Sequence, residues 1–147
     1  MAGIRVSIRI DAPVDAVWAV VEPVERHVDW MADAVAIRFV SESTRGVGTK
    51  FLCDTKVGPF SLVDEMTITS WEPGREMGVS HTGIVTGTGV FTLEPTADGA
   101  TTFTWAENLV FPWWMGGPIG AFIGGKIVMK QIWRRNLREL KKIVESA

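Results

Sequence analysis

The chain has 147 residues, a formal net charge of −2 and 46% hydrophobic residues, values that suit one globular domain with a buried core. Its only cysteine, Cys53, excludes an internal disulfide framework and a cysteine-based zinc site. The slight acidity argues against nucleic-acid binding as the main role, and the charged residues among the first eleven positions argue against a secretion signal. We therefore expect a cytoplasmic protein with a single domain over residues 1–147.

Hydropathy and turn signals predict the elements in chain order. A strand is predicted over residues 3–10, where isoleucine and valine alternate with polar side chains. Two short helices follow, because Pro13 suits a first helical turn and Pro23 ends one helix and begins another. A long helix over residues 118–145 is predicted at the end of the chain. Between the helices, turn signals separate six strands, predicted at residues 34–41, 48–56, 60–71, 75–82, 84–95 and 100–109.

The order of these elements predicts an α+β fold. Consecutive strands joined by short turns run antiparallel, so the seven strands predict one curved antiparallel sheet. Only the C-terminal helix is long enough to cover the apolar face of that sheet. Projected at 100° per residue, this helix has one apolar arc that includes Met129, Trp133 and Leu137, with its basic residues opposite. Asn136 lies in the apolar arc, where we expect it to find a hydrogen-bond partner.

Several short segments resemble, in order and spacing, motifs of the START / polyketide cyclase–dehydrase superfamily. They are IDAPVDAVW (10–18), DWM (29–31), VGTKF (47–51), WEPGR (71–75) and NLRELK (136–141). The resemblance implies the helix-grip fold, a seven-stranded curved antiparallel sheet wrapped around a long C-terminal helix, with two short helices after the first strand. That superfamily includes carriers, cyclases, hormone receptors and hydroxylase subunits, so the resemblance implies a fold more than a function.

A bent sheet that grips one helix leaves an apolar cavity of the kind that small ligands prefer. Strand alternation, the helix projection and an unusual loop select the residues that would line it. The predicted ligand-binding residues are Phe51, Cys53, Leu62, Met66, Met77, Val79, His81, Phe91, Phe103, Trp105, Glu107, Trp113, Trp114, Phe122, Lys126, Met129 and Trp133. Ordinary core packing is the alternative for the apolar members. Lys126 lies at the edge of the arc and either snorkels outwards or points into the cavity.

The same alternation places three ionisable groups, Asp64, His81 and Glu107, on the apolar sides of their strands. Burial of an unpaired carboxylate is costly, so we expect each group to be partnered, hydrated or near the cavity mouth. These are the candidate catalytic residues, unless a one-residue slip in register turns them to solvent. No metal and no cofactor is predicted, because the two histidines lack metal-binding spacing. The second histidine, His27, lies in a short polar helix and is predicted at the surface.

The segment FPWWMGGP, residues 111–118, is the most unusual feature of the sequence. Two adjacent tryptophans, Trp113 and Trp114, cannot both face the same core. The segment is therefore either a plug over one end of the core or a gate at the cavity mouth, where indole rings exclude water and touch the ligand or a membrane surface.

Three classes of function follow from these features. The preferred hypothesis is binding or transport of a hydrophobic small molecule, lipid-like or polyketide-like, in the cavity. The alternative is an enzyme of the polyketide cyclase/dehydrase type, in which His81, Asp64 or Glu107 moves protons at a carbonyl or hydroxyl. The third is a membrane-contacting or protein-interaction domain that uses the tryptophan loop and the basic helix face. The expected partner is a hydrophobic small molecule and no nucleic acid, with transient membrane-surface contact and a homodimer as further options.

Overall fold

The computed structural model describes residues 2–57, 60–83, 85–110 and 126–147, and its elements follow the predicted order. The strands are β1 (Ala2–Ile10), β2 (Ala34–Phe39), β3 (Lys50–Val57), β4 (Phe60–Glu72), β5 (Glu76–Thr82), β6 (Thr86–Pro95) and β7 (Thr101–Val110). The helices are α1 (Val14–Val21), a 3-10 helix (Val24–Asp29) and α2 (Lys126–Glu145). The first part of the predicted C-terminal helix, residues 118–125, lies outside the described residues.

All seven strands form one sheet in the order β1-β7-β6-β5-β4-β3-β2, and every neighbouring pair is antiparallel. The two edge strands are consecutive in the chain, so α1 and the 3-10 helix carry the chain from one edge of the sheet to the other. Register shifts at Ala34/Ala36 and at Ile68/Ser70 interrupt the pairing of β2 with β3 and of β4 with β5. Such bulges bend a strand and increase its twist. The architecture confirms the predicted helix-grip fold.

Helix α2 packs its apolar arc against the concave side of the sheet, as the projection predicts. Met129, Trp133, Leu137 and Leu140 are buried, whereas the basic residues of the opposite arc are exposed or half-buried. Asn136 is fully buried and does find partners, as expected: its amide oxygen accepts from the backbone N–H of Ala32 and its amide nitrogen donates to the carboxyl of Asp33. These two bonds tie α2 to the segment that leads into β2.

An aromatic cluster separates the filled part of the interior from the rest. The rings of Phe103 and Trp105 meet Trp30 nearly edge-on, and Trp105 stacks on Trp133 of α2 with 4.6 Å between ring centroids. Beyond this cluster, the C-terminal half of α2 packs in a closed core with α1 and β1. On the other side, the N-terminal part of the described α2 faces the bent strands β3, β4 and β5, and the described residues leave a cavity between them.

Candidate functional site

An internal cavity of about 120 Å³ lies between the concave face of the sheet and the N-terminal part of α2. A single water needs only about 10–15 Å³ of such space, so the cavity has room for a small organic molecule. Every strand except β1 contributes to its wall, together with the 3-10 helix and α2. The wall is mostly apolar and includes three methionines with flexible, polarizable side chains, Met66, Met77 and Met129. Such a lining adapts to irregular ligand shapes.

Twelve of the residues predicted to bind ligand lie on this wall. They are Phe51, Cys53, Leu62, Met66, Met77, Val79, His81, Phe91, Trp105, Glu107, Met129 and Trp133. Phe103 is not on the wall, because its fully buried ring packs behind it against Trp30 and Phe91. Trp113, Trp114, Phe122 and the side chain of Lys126 lie outside what the structure describes, as does the whole segment 111–118 on which the gate and membrane-contact hypotheses rest.

The prediction that His27 is a surface residue is wrong. Its imidazole is buried, its Nε2–H donates to the backbone carbonyl of Val21 at 2.7 Å, and it lines the cavity. A 3-10 helix has three residues per turn, so Val24, His27 and Trp30 follow one another on the same inward side. The three-residue spacing of Val24, His27 and Trp30 is the signal in the sequence that indicates the burial of His27.

Further wall residues are not among the predicted site residues. Met31, Asp33 and Ala34 come from the segment around the start of β2, where side-chain alternation has not yet begun. Asp33 is half-buried and its carboxyl accepts from Asn136; burial raises the pKa of Asp33 even though that hydrogen bond acts in the opposite direction. The other wall residues outside the predicted ligand-binding and catalytic sets are Val24, Ile37, Thr55, Val85, Gly89, Val90 and Leu109, of which Thr55 and Leu109 share the inward side of their strands with predicted residues.

Asp64, His81 and Glu107 are all buried on the inner face of the sheet, where the alternation places them. Nε2–H of His81 donates to one oxygen of the Glu107 carboxylate at 2.6 Å, and Nε1–H of Trp105 donates to the other at 2.9 Å. Glu107 is therefore partnered through both oxygens. His81 and Asp64 are not fully satisfied: Nδ1 of His81 and Oδ1 of Asp64 are buried without a hydrogen-bond partner among the described residues.

Gly89 of β6 leaves space for the His81–Glu107 contact. His81 on β5 pairs with Gly87, and Glu107 on β7 pairs with Gly89, so the two side chains meet across the intervening strand. Both glycines occupy inward positions of β6, at alternate positions before Phe91. A Cβ atom added to Gly89 would stand 2.8 Å from both the carboxylate oxygen and Cγ of Glu107. The missing side chain of Gly89 thus leaves the space that the Glu107 carboxylate occupies where it meets the imidazole.

Burial and charge together set the protonation of this cluster. Burial pulls the pKa of His81 down, but its hydrogen bond to Glu107 and the negative charges of Glu107 and Asp64 outweigh burial and raise the pKa above its ordinary value. Burial raises the pKa of Asp64, and Glu107 adds to the rise against the opposing effect of His81. Burial also raises the pKa of the Cys53 thiol to about 11, so the thiol stays protonated and unreactive at neutral pH. The cluster is therefore suited to hold or move a proton.

The described ranges contain neither a cluster of metal-binding side chains nor a membrane-spanning helix. There, His, Cys, Asp and Glu side chains form no group of three arranged to hold a metal ion. Neither helix α1 nor the part of α2 from residue 126 onward is long and apolar enough to cross a membrane.

Fold and site together define a helix-grip protein with an apolar cavity and one buried acid–base cluster. The family model described as polyketide cyclase/dehydrase and lipid transport matches residues 1–145, and the chain belongs to that family. This confirms the resemblance seen in the sequence motifs. Membership supports a hydrophobic small molecule as the partner, either bound or transformed. None of the curated proteins matches the sequence significantly.

Solved structures from several bacteria share the fold at low sequence identity. An aromatase/cyclase from Streptomyces sp. R1128 has a TM-score of 0.80 and 15% identity, over 98% of this chain and 93% of that one. A protein from Thermus thermophilus has a TM-score of 0.79 and 14% identity, covering 99% and 98%. A START superfamily protein from Mycobacterium smegmatis has a TM-score of 0.78 and 11% identity, covering 98% and 97%. At these identities the likeness concerns the fold alone.

Proposed function

We propose that this protein binds or transports a hydrophobic small molecule, lipid-like or polyketide-like, in the cavity between the sheet and α2. The observation that carries the proposal is the cavity itself, because interiors are normally packed as densely as organic crystals. Leaving about 120 Å³ empty forfeits packing that the methionines and aromatic rings of the wall could supply. A ligand that fills the space restores those contacts, and the apolar wall selects an apolar ligand.

The test compares a variant that fills the cavity with one that adds the same ring on the other face of the sheet. Val79 lines the cavity, and Ser80 is its neighbour in β5 with the side chain on the opposite face. Native mass spectrometry of freshly purified protein detects a co-purified apolar molecule, and equilibrium dialysis against naphthalene measures binding directly. We expect wild type and Ser80→Phe to bind, and Val79→Phe to bind at least about tenfold more weakly, which is about 1.4 kcal/mol.

Both variants should keep the circular dichroism spectrum of the wild type. Absence of a co-purified molecule together with absence of saturable naphthalene binding by the wild type would overturn the proposal. Equal binding by Val79→Phe would place the ligand elsewhere, which also contradicts it.

The alternative function is a cyclase/dehydrase-type reaction, and the buried His81–Glu107 pair beside Asp64 favours it. In the dehydration of a β-hydroxyketone, the Asp64 carboxylate would take the α-proton and His81 would donate a proton to the departing hydroxyl. A carbon–carbon double bond and one water result. General acid–base groups of this kind contribute about 10²–10⁴-fold to a rate.

A hydrophobic β-hydroxyketone tests this alternative, because its enone product absorbs in the ultraviolet. If the protein is such an enzyme, His81→Gln slows the appearance of enone at least about 100-fold and changes naphthalene binding less than about twofold. A rate equal to the buffer rate with the wild type argues against the enzyme and leaves the binding function standing.

A further inference from the structure

The polar end of the cavity holds two atoms whose hydrogen-bonding capacity is unused. Nδ1 of His81 and Oδ1 of Asp64 are both inaccessible to solvent, and neither has a partner among the described residues. Both side chains belong to the cavity wall, and the two residues are only 8% and 6% exposed. Native proteins leave few buried polar groups unsatisfied, because each costs the desolvation of a group that water would otherwise bind. We therefore expect a polar group in the cavity to form hydrogen bonds with Nδ1 of His81 and Oδ1 of Asp64.

The two atoms come from neighbouring strands and face the same space. His81 on β5 pairs with Met66 on β4, and Asp64 is the next inward residue of β4 after Met66. His81 and Asp64 are thus diagonal neighbours on one face, a relation in which residues lie about 7–8 Å apart and long side chains come within reach of each other. One small group placed between them can contact both.

The remaining partners of the cluster determine which atom donates and which accepts. Glu107 accepts from His81 through one oxygen and from Trp105 through the other, so it fixes Nε2 of His81 as a donor. The neighbouring carboxyl groups of Glu107 and Asp64 raise the pKa of His81 and so favour its imidazolium form, in which Nδ1 offers a second N–H to the cavity. Asp64 supplies a carboxyl oxygen, which accepts. Asp33, the other carboxyl of the wall, is already held by Asn136.

These observations select one functional group. A hydroxyl accepts one hydrogen bond and donates another, so it satisfies Nδ1 of His81 and Oδ1 of Asp64 at the same time. A carbonyl only accepts and leaves Oδ1 of Asp64 without a donor. A carboxylate would bring a third negative charge beside Asp64 and Glu107 in a poorly hydrated space, where like charges repel strongly.

We propose that the ligand is a hydroxyl-bearing apolar molecule, an alcohol or a phenol, and that Asp64 and His81 together bind its hydroxyl group. This inference rests on the proposed function, because it names the chemical class of the molecule that occupies the same cavity. Glu107 and Trp105 act as positioning residues, since they hold His81 with Nδ1 towards the ligand. The apolar wall, with the Trp105–Trp133 stack on one side, holds the body of the molecule.

Three probes with one ring system separate the polar group from the apolar body: naphthalene, 2-naphthol and 2-naphthoate. Equilibrium dialysis at pH 7 measures the three dissociation constants. We expect 2-naphthol to bind the wild type at least about tenfold more tightly than naphthalene and than 2-naphthoate, the size of one additional buried hydrogen bond. Asp64→Leu should bind naphthalene as the wild type does and lose most of the 2-naphthol advantage.

Glu65→Leu is the matched control, because Glu65 follows Asp64 in β4 and its side chain is exposed on the opposite face of the sheet, outside the cavity wall. It should keep the full preference for 2-naphthol. Should Asp64→Leu fail to fold, Asp64→Asn serves instead. Its amide oxygen still accepts, so it should keep the advantage of 2-naphthol over naphthalene, and its lost charge should weaken the discrimination against 2-naphthoate.

The outcomes distinguish this inference from the proposed function. If naphthalene binds and 2-naphthol has no advantage, or if Asp64→Leu keeps that advantage, the inference is overturned and the binding function stands. If none of the three probes binds, the proposed function fails and the inference fails with it.

Discussion

At the scale of single residues, the organisation of the site depends on an absent side chain. Gly89 has no Cβ, and the carboxylate of Glu107 occupies the space that a Cβ would take. Because Glu107 in turn accepts from His81 and Trp105, one backbone position on β6 controls the placement of groups on β5 and β7.

The first prediction concerns Gly89→Ala. The added methyl carbon would stand 2.8 Å from the carboxylate oxygen of Glu107, so Glu107 must move and its bond to His81 must lengthen or break. We expect the pKa of His81 to fall towards or below its ordinary value, since the hydrogen bond and the charge of Glu107 raise it more than Asp64 does. The free energy of unfolding should fall by about 1–3 kcal/mol. An NMR titration of the imidazole measures the pKa.

Glu107→Gln is the companion variant for this prediction, because it removes the charge and keeps the shape. It should lower the pKa of His81 in the same direction as Gly89→Ala. An unchanged His81 pKa in Gly89→Ala would show that Glu107 tolerates the methyl group and that Gly89 does not control the contact.

The second prediction concerns His27 and acid stability. Burial lowers the pKa of His27 to about 4, well below the ordinary value of 6.5. Between pH 6.5 and pH 4, His27 therefore binds a proton in the unfolded chain but not in the folded protein. The stability that this residue contributes is fully present above pH 6.5 and is lost as the pH falls towards 4. The loss from this residue should reach about 3 kcal/mol, at about 1.4 kcal/mol per pKa unit.

His27→Gln isolates that contribution, because a glutamine amide can still donate to the carbonyl of Val21 and does not titrate. Urea unfolding at pH 7 and pH 4.5 should show a smaller loss for the variant than for the wild type. His81 and the carboxyl groups titrate in both proteins and cancel in the comparison. Equal losses in the two proteins would contradict the buried, neutral state of His27.

At the scale of the elements, the sequence predicts most of the sheet and much of the site. Period-two alternation and turn residues are local signals, and they place each strand to within about two residues and the side chains of Asp64, His81 and Glu107 on the inner face. The prediction fails at His27 in the 3-10 helix, because the three-residue period of that helix buries His27 in a segment that looks polar.

Contacts across strands lie beyond such local signals. The space beside Gly89 matters only because Glu107 stands opposite it, and that pairing depends on the register of two strands that the hydropathy pattern does not specify. The same holds for Asn136: its place in an apolar arc predicts that it has a partner, but not that the partners are Ala32 and Asp33. Sequence reasoning therefore finds the faces of elements and misses their pairings.

The third prediction tests the bond between two elements. Asn136 on α2 satisfies both the N–H of Ala32 and the carboxyl of Asp33, and all of this lies beside the cavity wall. Asn136→Leu leaves both groups without their partner, so the free energy of unfolding should fall by about 2–4 kcal/mol. Urea unfolding measures it. Arg135→Ala, next to Asn136 on the exposed arc, should change it by less than about 0.5 kcal/mol.

A loss below about 1 kcal/mol in Asn136→Leu would mean that water or a rearranged Asp33 replaces the amide. In that case the bridge from α2 to the start of β2 does not contribute to stability.

At the scale of the whole molecule, the interior is divided between a packed half and a hollow half. The C-terminal part of α2 closes a core with α1 and β1, in which residues such as Leu140 and Val17 are fully buried. The other half gives up such packing to the cavity. A cavity in an interior lowers the free energy of unfolding. A ligand that binds only the folded state raises that free energy by mass action. Stability and occupancy should therefore be coupled.

The last prediction follows from that coupling. With 2-naphthol at about 100 times its dissociation constant, the free energy of unfolding should rise by about 2.7 kcal/mol. In a chain of this length such a gain raises Tm by roughly 5–10 °C. Differential scanning calorimetry measures the shift, which should be retained in Ser80→Phe and nearly absent in Val79→Phe, whose added ring occupies the cavity. An equal shift in Val79→Phe would mean that the stabilising molecule binds outside the hollow half, because only there does the added ring compete with it.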